Sequence, residues 1–204
     1  MRRIRLFADS NSDWLDEVWS IDVFVSFLDA IRLAPNVDFQ LLTKRIDGWK
    51  QRLELAIQNT SGPLHDWIQD WLDGNPPTNV WLGASLESPR QSWRVGLLQA
   101  IPANKRFLSV EPLLESVDLS QALHGKNAMD WIIVGGESGP KAIRRDCGVE
   151  AIVSVAEQCL EAGVPVYVKQ DEAFKSGEQG RIPAHIWRLK QFPRSVEKAA
   201  SKLR

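Results

Sequence analysis

The sequence predicts an α/β protein built on about six parallel strands, arranged as an open doubly wound sheet or a partial (β/α) barrel. Three observations predict it. Short β-branched or aromatic runs alternate with longer segments of helical period along the chain. Most of these runs are continuously apolar, as strands buried on both faces are. The repeating unit of roughly 25 to 40 residues suits strand–helix repeats, and no linker or low-complexity tract interrupts it.

Taken in order, residues 4–8 form the first run. Over about 13–33, Trp14, Val18, Ile21, Val25 and Leu28 recur at three- and four-residue steps, which predicts one apolar helix face. Ser10 with Asp13 resembles a capping box at its start, and Pro35 ends it. Residues 39–43 are the second run. Trp49, Leu53 and Ile57 predict a second helix, and Trp67, Ile68, Trp71 and Leu72 a short third one closed by Gly74-Asn75-Pro76-Pro77. The third run is 80–83. Ser88-Pro89 opens a fourth helix, with Pro in its favoured first-turn place and Trp93, Leu97 and Ile101 expected to face inward. Runs at 106–110 and 131–134 follow. Val149, Ile152, Val153, Ala156 and Leu160 predict a fifth helix stopped by Gly163 and Pro165, and 164–168 is the last run. Residues 1–187 thus read as a single α/β domain. From Arg188 the chain turns basic, with Glu197 the lone acid, so 188–204 reads as a C-terminal tail or helix, either solvated or binding a polyanion or partner.

The chain has 204 residues, 44% apolar and 25% charged, with 25 Lys and Arg against 26 Asp and Glu. That length can bury one sizeable core. A net charge of −1 supplies no global attraction to polyanions, so any such binding would need a local patch. No apolar stretch approaches the roughly 20 residues of a membrane span, and no apolar signal core follows Arg2-Arg3; the expectation is a cytoplasmic protein that binds no membrane. Cys147 and Cys159 stand 12 apart without an accompanying His–Cys cluster, so no metal site is expected. None of the three histidines has a partner at catalytic spacing. Nine tryptophans fall mostly at helix-like apolar positions, where they serve the core.

In parallel α/β folds the residues at and just after the carboxyl ends of strands face the ligand site. Here those places hold Asp9 and Ser10; Thr43, Lys44 and Arg45; Ser85 and Glu87; Glu111; Gly135, Gly136, Glu137 and Ser138; and Lys169 and Gln170. Three glutamate carboxylates and three cations among them would converge on one rim. Lys44-Arg45 could hold a carboxylate or phosphate, Arg as a fork and Lys as a point charge. Gly135-Gly136-Glu137-Ser138-Gly139 lacks the Lys-Ser/Thr ending of a Walker loop and the spacing of a dinucleotide fingerprint. Its glycines permit close backbone approach by a ligand, and a tight turn explains them equally well.

Five strand-end words together resemble, in order, the motifs of the phage gene-product-37/gene-product-68 family. They are Leu42-Thr43-Lys44-Arg45, residues 79–87 (NVWLGASLE), residues 106–114 (RFLSVEPLL), residues 130–140 (DWIIVGGESGP) and residues 162–170 (AGVPVYVKQ). The likeness runs from about Arg3 to Gln170. That family is of unknown function and is similar to radical S-adenosylmethionine enzymes. It implies a partial (β/α) barrel with an N-terminal three-cysteine motif for a [4Fe–4S] cluster. Against that pattern this chain would start at the family's second strand, with the strand–cysteine unit missing and no cysteine before Cys147. Ligation of a cluster takes three thiolates, so no cofactor and no cluster-dependent radical chemistry are expected of this chain by itself. The absent first strand leaves its neighbour's edge open to a helix, a tail, a partner chain or a second copy.

Two functions compete. One is a non-catalytic binding protein of a phage or mobile element that engages a host or phage macromolecule, a protein rather than a nucleic acid, conceivably to inhibit host defence. The other is an enzyme acting at the rim on a nucleotide or S-adenosylmethionine-like ligand, with the cluster segment supplied by another polypeptide. The missing cysteines favour the first, the intact rim the second.

Overall fold

In the computed structural model, which describes residues 3–8 and 12–193, six strands lie side by side in chain order and all run parallel. They are β1 (Ile4–Ala8), β2 (Val37–Thr43), β3 (Val80–Ser85), β4 (Lys105–Val110), β5 (Trp131–Gly135) and β6 (Val166–Gln170). The sheet curls into an open half-barrel with helices in the connections: α1 (Ile21–Leu33), then α2 (Trp49–Gln58) with α3 (Gly62–Leu72), α4 (Trp93–Ala100), α5 (Ser120–Leu123) and α6 (Val149–Ala162). A short α7 (Ala184–Trp187) follows β6. The partial-barrel expectation therefore holds, and the doubly wound alternative is set aside.

Alternation along the strands divides the apolar residues between two cores. Leu41, Leu82, Leu108, Ile132, Val134, Val166 and Val168 are buried beneath the helices. Trp81, Phe107, Trp131 and Ile133 form a separate cluster on the concave face, with Leu42 and Tyr167 packed against it. Tryptophans also join the first three helices: Trp71 of α3 lies parallel to Trp14 with ring centroids 6.5 Å apart and meets Trp49 of α2 edge-on at 5.6 Å. Arg106 is buried on the helix side of β4. Its guanidinium donates to the carbonyls of Leu98 (3.1 Å), Ile101 (2.6 Å) and Ala103 (3.3 Å), the orphan acceptors at and beyond the end of α4.

Several sequence expectations are corrected. The first helix begins at Ile21 behind Ser20, because Asp13 and Asp16 accept from the backbone N–H of Leu15 (3.1 Å) and Val18 (3.0 Å) and so hold turns instead of helix. Val18 is consequently 84% exposed. Its proposed capping partner Ser10 lies outside the described residues. At the fourth helix a 3₁₀ turn, Pro89–Gln91, precedes α4 and carries the capping box through Ser88 and Gln91. That turn rotates the buried face to Val95 and Leu98, leaving Trp93 and Leu97 exposed. Leu160 is likewise on the outside of α6. The last strand begins at Val166, two residues late, because Val164 still takes part in capping α6: its N–H reaches Cys159 O at 2.9 Å around Gly163 in the left-handed conformation.

The two sheet edges differ. At β6, residues 189–191 add on antiparallel, with Val168 N–H to Leu189 O at 2.8 Å and Gln191 N–H to Val166 O at 3.0 Å. Part of the expected solvated tail is thus docked, and residues 194–204 lie outside the described residues. At the other edge β1 pairs only with β2 among the described strands, and Ile4 and Leu6 are 69% and 47% exposed.

Candidate functional site

All six strands point their carboxyl ends the same way, so the strand-end residues share one rim, and there the acids and cations meet in pairs. Lys44 after β2 binds Glu87 after β3. Glu111 after β4 binds Lys169 of β6 at 2.6 Å. Glu137 after β5 is clasped by Arg145, which donates from Nη2 (2.5 Å), Nε (3.2 Å) and its backbone N–H (2.7 Å). Arg145's hydrogen bonds hold the Glu137 carboxyl below its ordinary pKa. Each of the three carboxylates is paired with a cation, and that of Glu137 is held ionised, the opposite of the raised, proton-sharing state a general acid needs.

Other predicted rim residues hold the scaffold. Thr43 is buried; its hydroxyl donates to Asp13 Oδ1 at 2.7 Å and accepts from Arg45 N–H at 2.8 Å, while Lys44 N–H donates to Asp13 Oδ2 at 2.7 Å. Arg45 turns away to Asp16 at 3.0 Å. Ser85 is buried and its carbonyl accepts from Arg94 at 2.9 Å. Gln170 is buried, its amide donating to Gly136 O at 2.8 Å and accepting from Ser176 Oγ at 2.8 Å and Gly177 N–H at 3.0 Å. Gly135 and Gly136 have a structural reason to be glycine: a Cβ on Gly136 would come within 2.8 Å of Glu172 N, and one on Gly135 within 3.2 Å of Gln170 O. Ser138 is half-buried at the start of the loop to α6. Asp9 and Ser10 fall outside the described residues.

Sequence reasoning missed the roles of four groups. Asp13, read from the sequence as part of a helix-capping box, and Arg145 sit in aperiodic loops where no pattern marks a rim partner. Asp171 and Glu172 are buried, and Arg181 bridges them at 3.1 and 2.5 Å. Glu172 also accepts from Gly148 N–H at 3.0 Å and from Cys147 N–H, at the start of α6. Gln40 is the fourth, a polar residue inside an apolar strand, which was a visible signal.

Below the rim the concave face opens as a cleft of about 330 Å³, lined by Phe7, Gln40, Ser109, Glu111, Trp131, Ile133, Tyr167, Lys169 and Phe192. Phe192 comes from the C-terminal segment and packs on Trp131 and Tyr167 with centroids 5.0 and 5.5 Å apart. Trp131 Nε1 donates to Gln191 O at 2.9 Å. The guanidinium of Arg5 on β1 lies 4.5 Å from the Phe192 ring and 5.5 Å from Trp81. One short segment thereby touches both ends of the half-barrel.

The residues present do not fit a [4Fe–4S] cluster. The sequence has two cysteines, and cluster ligation takes three thiolates. Burial, helped by the Glu172 hydrogen bond, pushes the Cys147 thiol up to about 12, and burial alone does the same to Cys159. Among the described residues no group of three His, Cys, Asp or Glu side chains could hold a metal, and no helix is long and apolar enough to cross a membrane.

A family model described as "Protein of unknown function (DUF5131)" matches residues 1–201. No curated protein and no solved structure matches the chain.

Proposed function

The chain belongs to the DUF5131 family, and from that premise we propose a non-catalytic binding protein of a phage or mobile element, acting in the cytoplasm on a host or phage protein. One observation carries the reading: among the described residues β1 presents an unpaired strand edge with exposed Ile4 and Leu6, whereas the β6 edge is covered by residues 189–191. Natural sheets blunt or cover long apolar edges, so the one left bare is where an extended segment of a partner adds a strand. The rim supports binding over catalysis in the same way, since its three carboxylates are each neutralised by a cation.

The test places a photo-crosslinking residue at Ile4 and, separately, at Lys50 on the far side of the helix layer, and captures partners from infected cells. A partner crosslinked from position 4 and lost on Leu6→Lys, but kept by Lys44→Ala and Glu137→Ala, is the expected result. A partner kept by Leu6→Lys and lost from either rim variant moves binding to the rim and overturns the proposal.

A further inference from the structure

The amide of Gln40 has no structural employment. Gln40 is only 5% exposed, yet its Nε2 is fully buried without a hydrogen-bond partner. It stands on the concave face of β2, in register between Phe7 of β1 and Trp81 of β3, and it lines the cleft. Buried donors are nearly always paired, because desolvating one without a partner is costly; a hydrophobic residue of the same size would serve the fold better. The cleft that Gln40 lines is a ligand chamber: Phe7, Trp131, Tyr167 and Phe192 supply four aromatic walls, and Ser109 adds a hydroxyl.

We propose that this cleft binds a flat, uncharged heteroaromatic molecule of two or three fused rings, with a ring nitrogen or carbonyl accepting from Gln40 Nε2. Size, polarity and shape select that class together. The volume of about 330 Å³ lies at the low end for small-molecule sites and suits a bicyclic to tricyclic ring system. Aromatic side chains favour stacked or edge-on contact with a second π-system over an aliphatic chain. The charges at the mouth, Glu111 and Lys169, already neutralise one another at 2.6 Å, so no net charge calls for a charged ligand. This site goes beyond the edge reading and does not depend on it.

The test titrates adenine, guanine, pterin and lumichrome singly into the protein and follows the indole N–H resonances of ¹⁵N-labelled tryptophan. Saturable shifts of Trp131 with at least one of the four are expected. Gln40→Met, which keeps length and removes the amide, should weaken that binding at least tenfold while leaving the ligand-free melting midpoint unchanged or raised, since it removes an unpaired donor. No saturable shift with any of the four, equal affinity in Gln40→Met, or a midpoint lowered by the substitution would each overturn the proposal. The edge crosslinking experiment reads a different surface, so either proposal can fail while the other stands.

Discussion

Arg181 is half-exposed, but the two carboxylates beneath it are not: the side chains of Asp171 and Glu172 are 1% and 0% accessible. Burial pushes the Asp171 carboxyl upward, and the hydrogen bonds from Arg181 and from Glu172 N–H outweigh it, so its pKa ends below the ordinary range. A depressed carboxylate stabilises the fold above the ordinary value of about 4 and loses that contribution as pH falls through the lowered one. Arg181→Leu leaves two buried carboxylates without their cation, and we expect a loss of about 2–3 kcal/mol at pH 7. In the variant only the backbone N–H groups of Glu172 and of residue 181 still oppose desolvation, so Asp171 takes up a proton more readily. The gap in stability between the two proteins should narrow as the pH drops toward 4, as urea titrations at a series of pH values would show. A gap that is constant with pH would mean that the guanidinium acts by packing alone.

The strands form by their apolar runs, and what distinguishes them is the one residue in each that the concave face demands. Gly83 of β3 lies in register beside Phe107 of β4, and an added Cβ would come within 2.3 Å of the Phe107 ring. Gly83→Ala should therefore cost about 1–3 kcal/mol through forced repacking, despite alanine's lower chain entropy; a calorimetric melt that is unchanged would show that the ring moves aside freely. Such parity was legible from the sequence: all six strands, their parallel sense and the shared rim follow from continuous runs separated by helical periods. The helix faces of Trp93, Leu97 and Leu160 were misplaced, because a 3₁₀ turn or a tight cap shifts phase by less than a residue step and leaves no composition signal. The rim pairs were half legible. Lys44, Glu87, Glu111 and Lys169 sit at strand ends where position betrays them, while Arg145 closes on Glu137 from an irregular loop, and Asp13 reaches Thr43 across 30 residues of sequence. Gln40 was visible and passed over, since one polar residue in a strand looks like alternation until both faces prove buried.

Across the molecule, stability should grade from one edge inward. β3 and β4 are flanked by strands on both sides and every residue in them is buried, whereas β1 has one neighbour among the described strands and exposed side chains. Native-state hydrogen exchange is thus expected to be fastest in residues 4–8 and slowest in 80–85 and 105–110. Equal protection in 4–8 would mean that the first edge is covered in solution, and the partner-strand proposal would fall with it. The order of the strands has a consequence for synthesis. Each strand pairs with its immediate predecessor in the chain, so every strand pairing closes only a short loop, and the sheet can grow one strand at a time as the polypeptide leaves the ribosome. Side-chain contacts reach further than the strand pairing: Phe7 of β1 meets Phe107 of β4 with ring centroids 6.5 Å apart, and Phe192, which follows β6, settles against Arg5 of β1. Strand pairing would thus proceed step by step, and the contact between Arg5 and Phe192 would register that all six strands have been made.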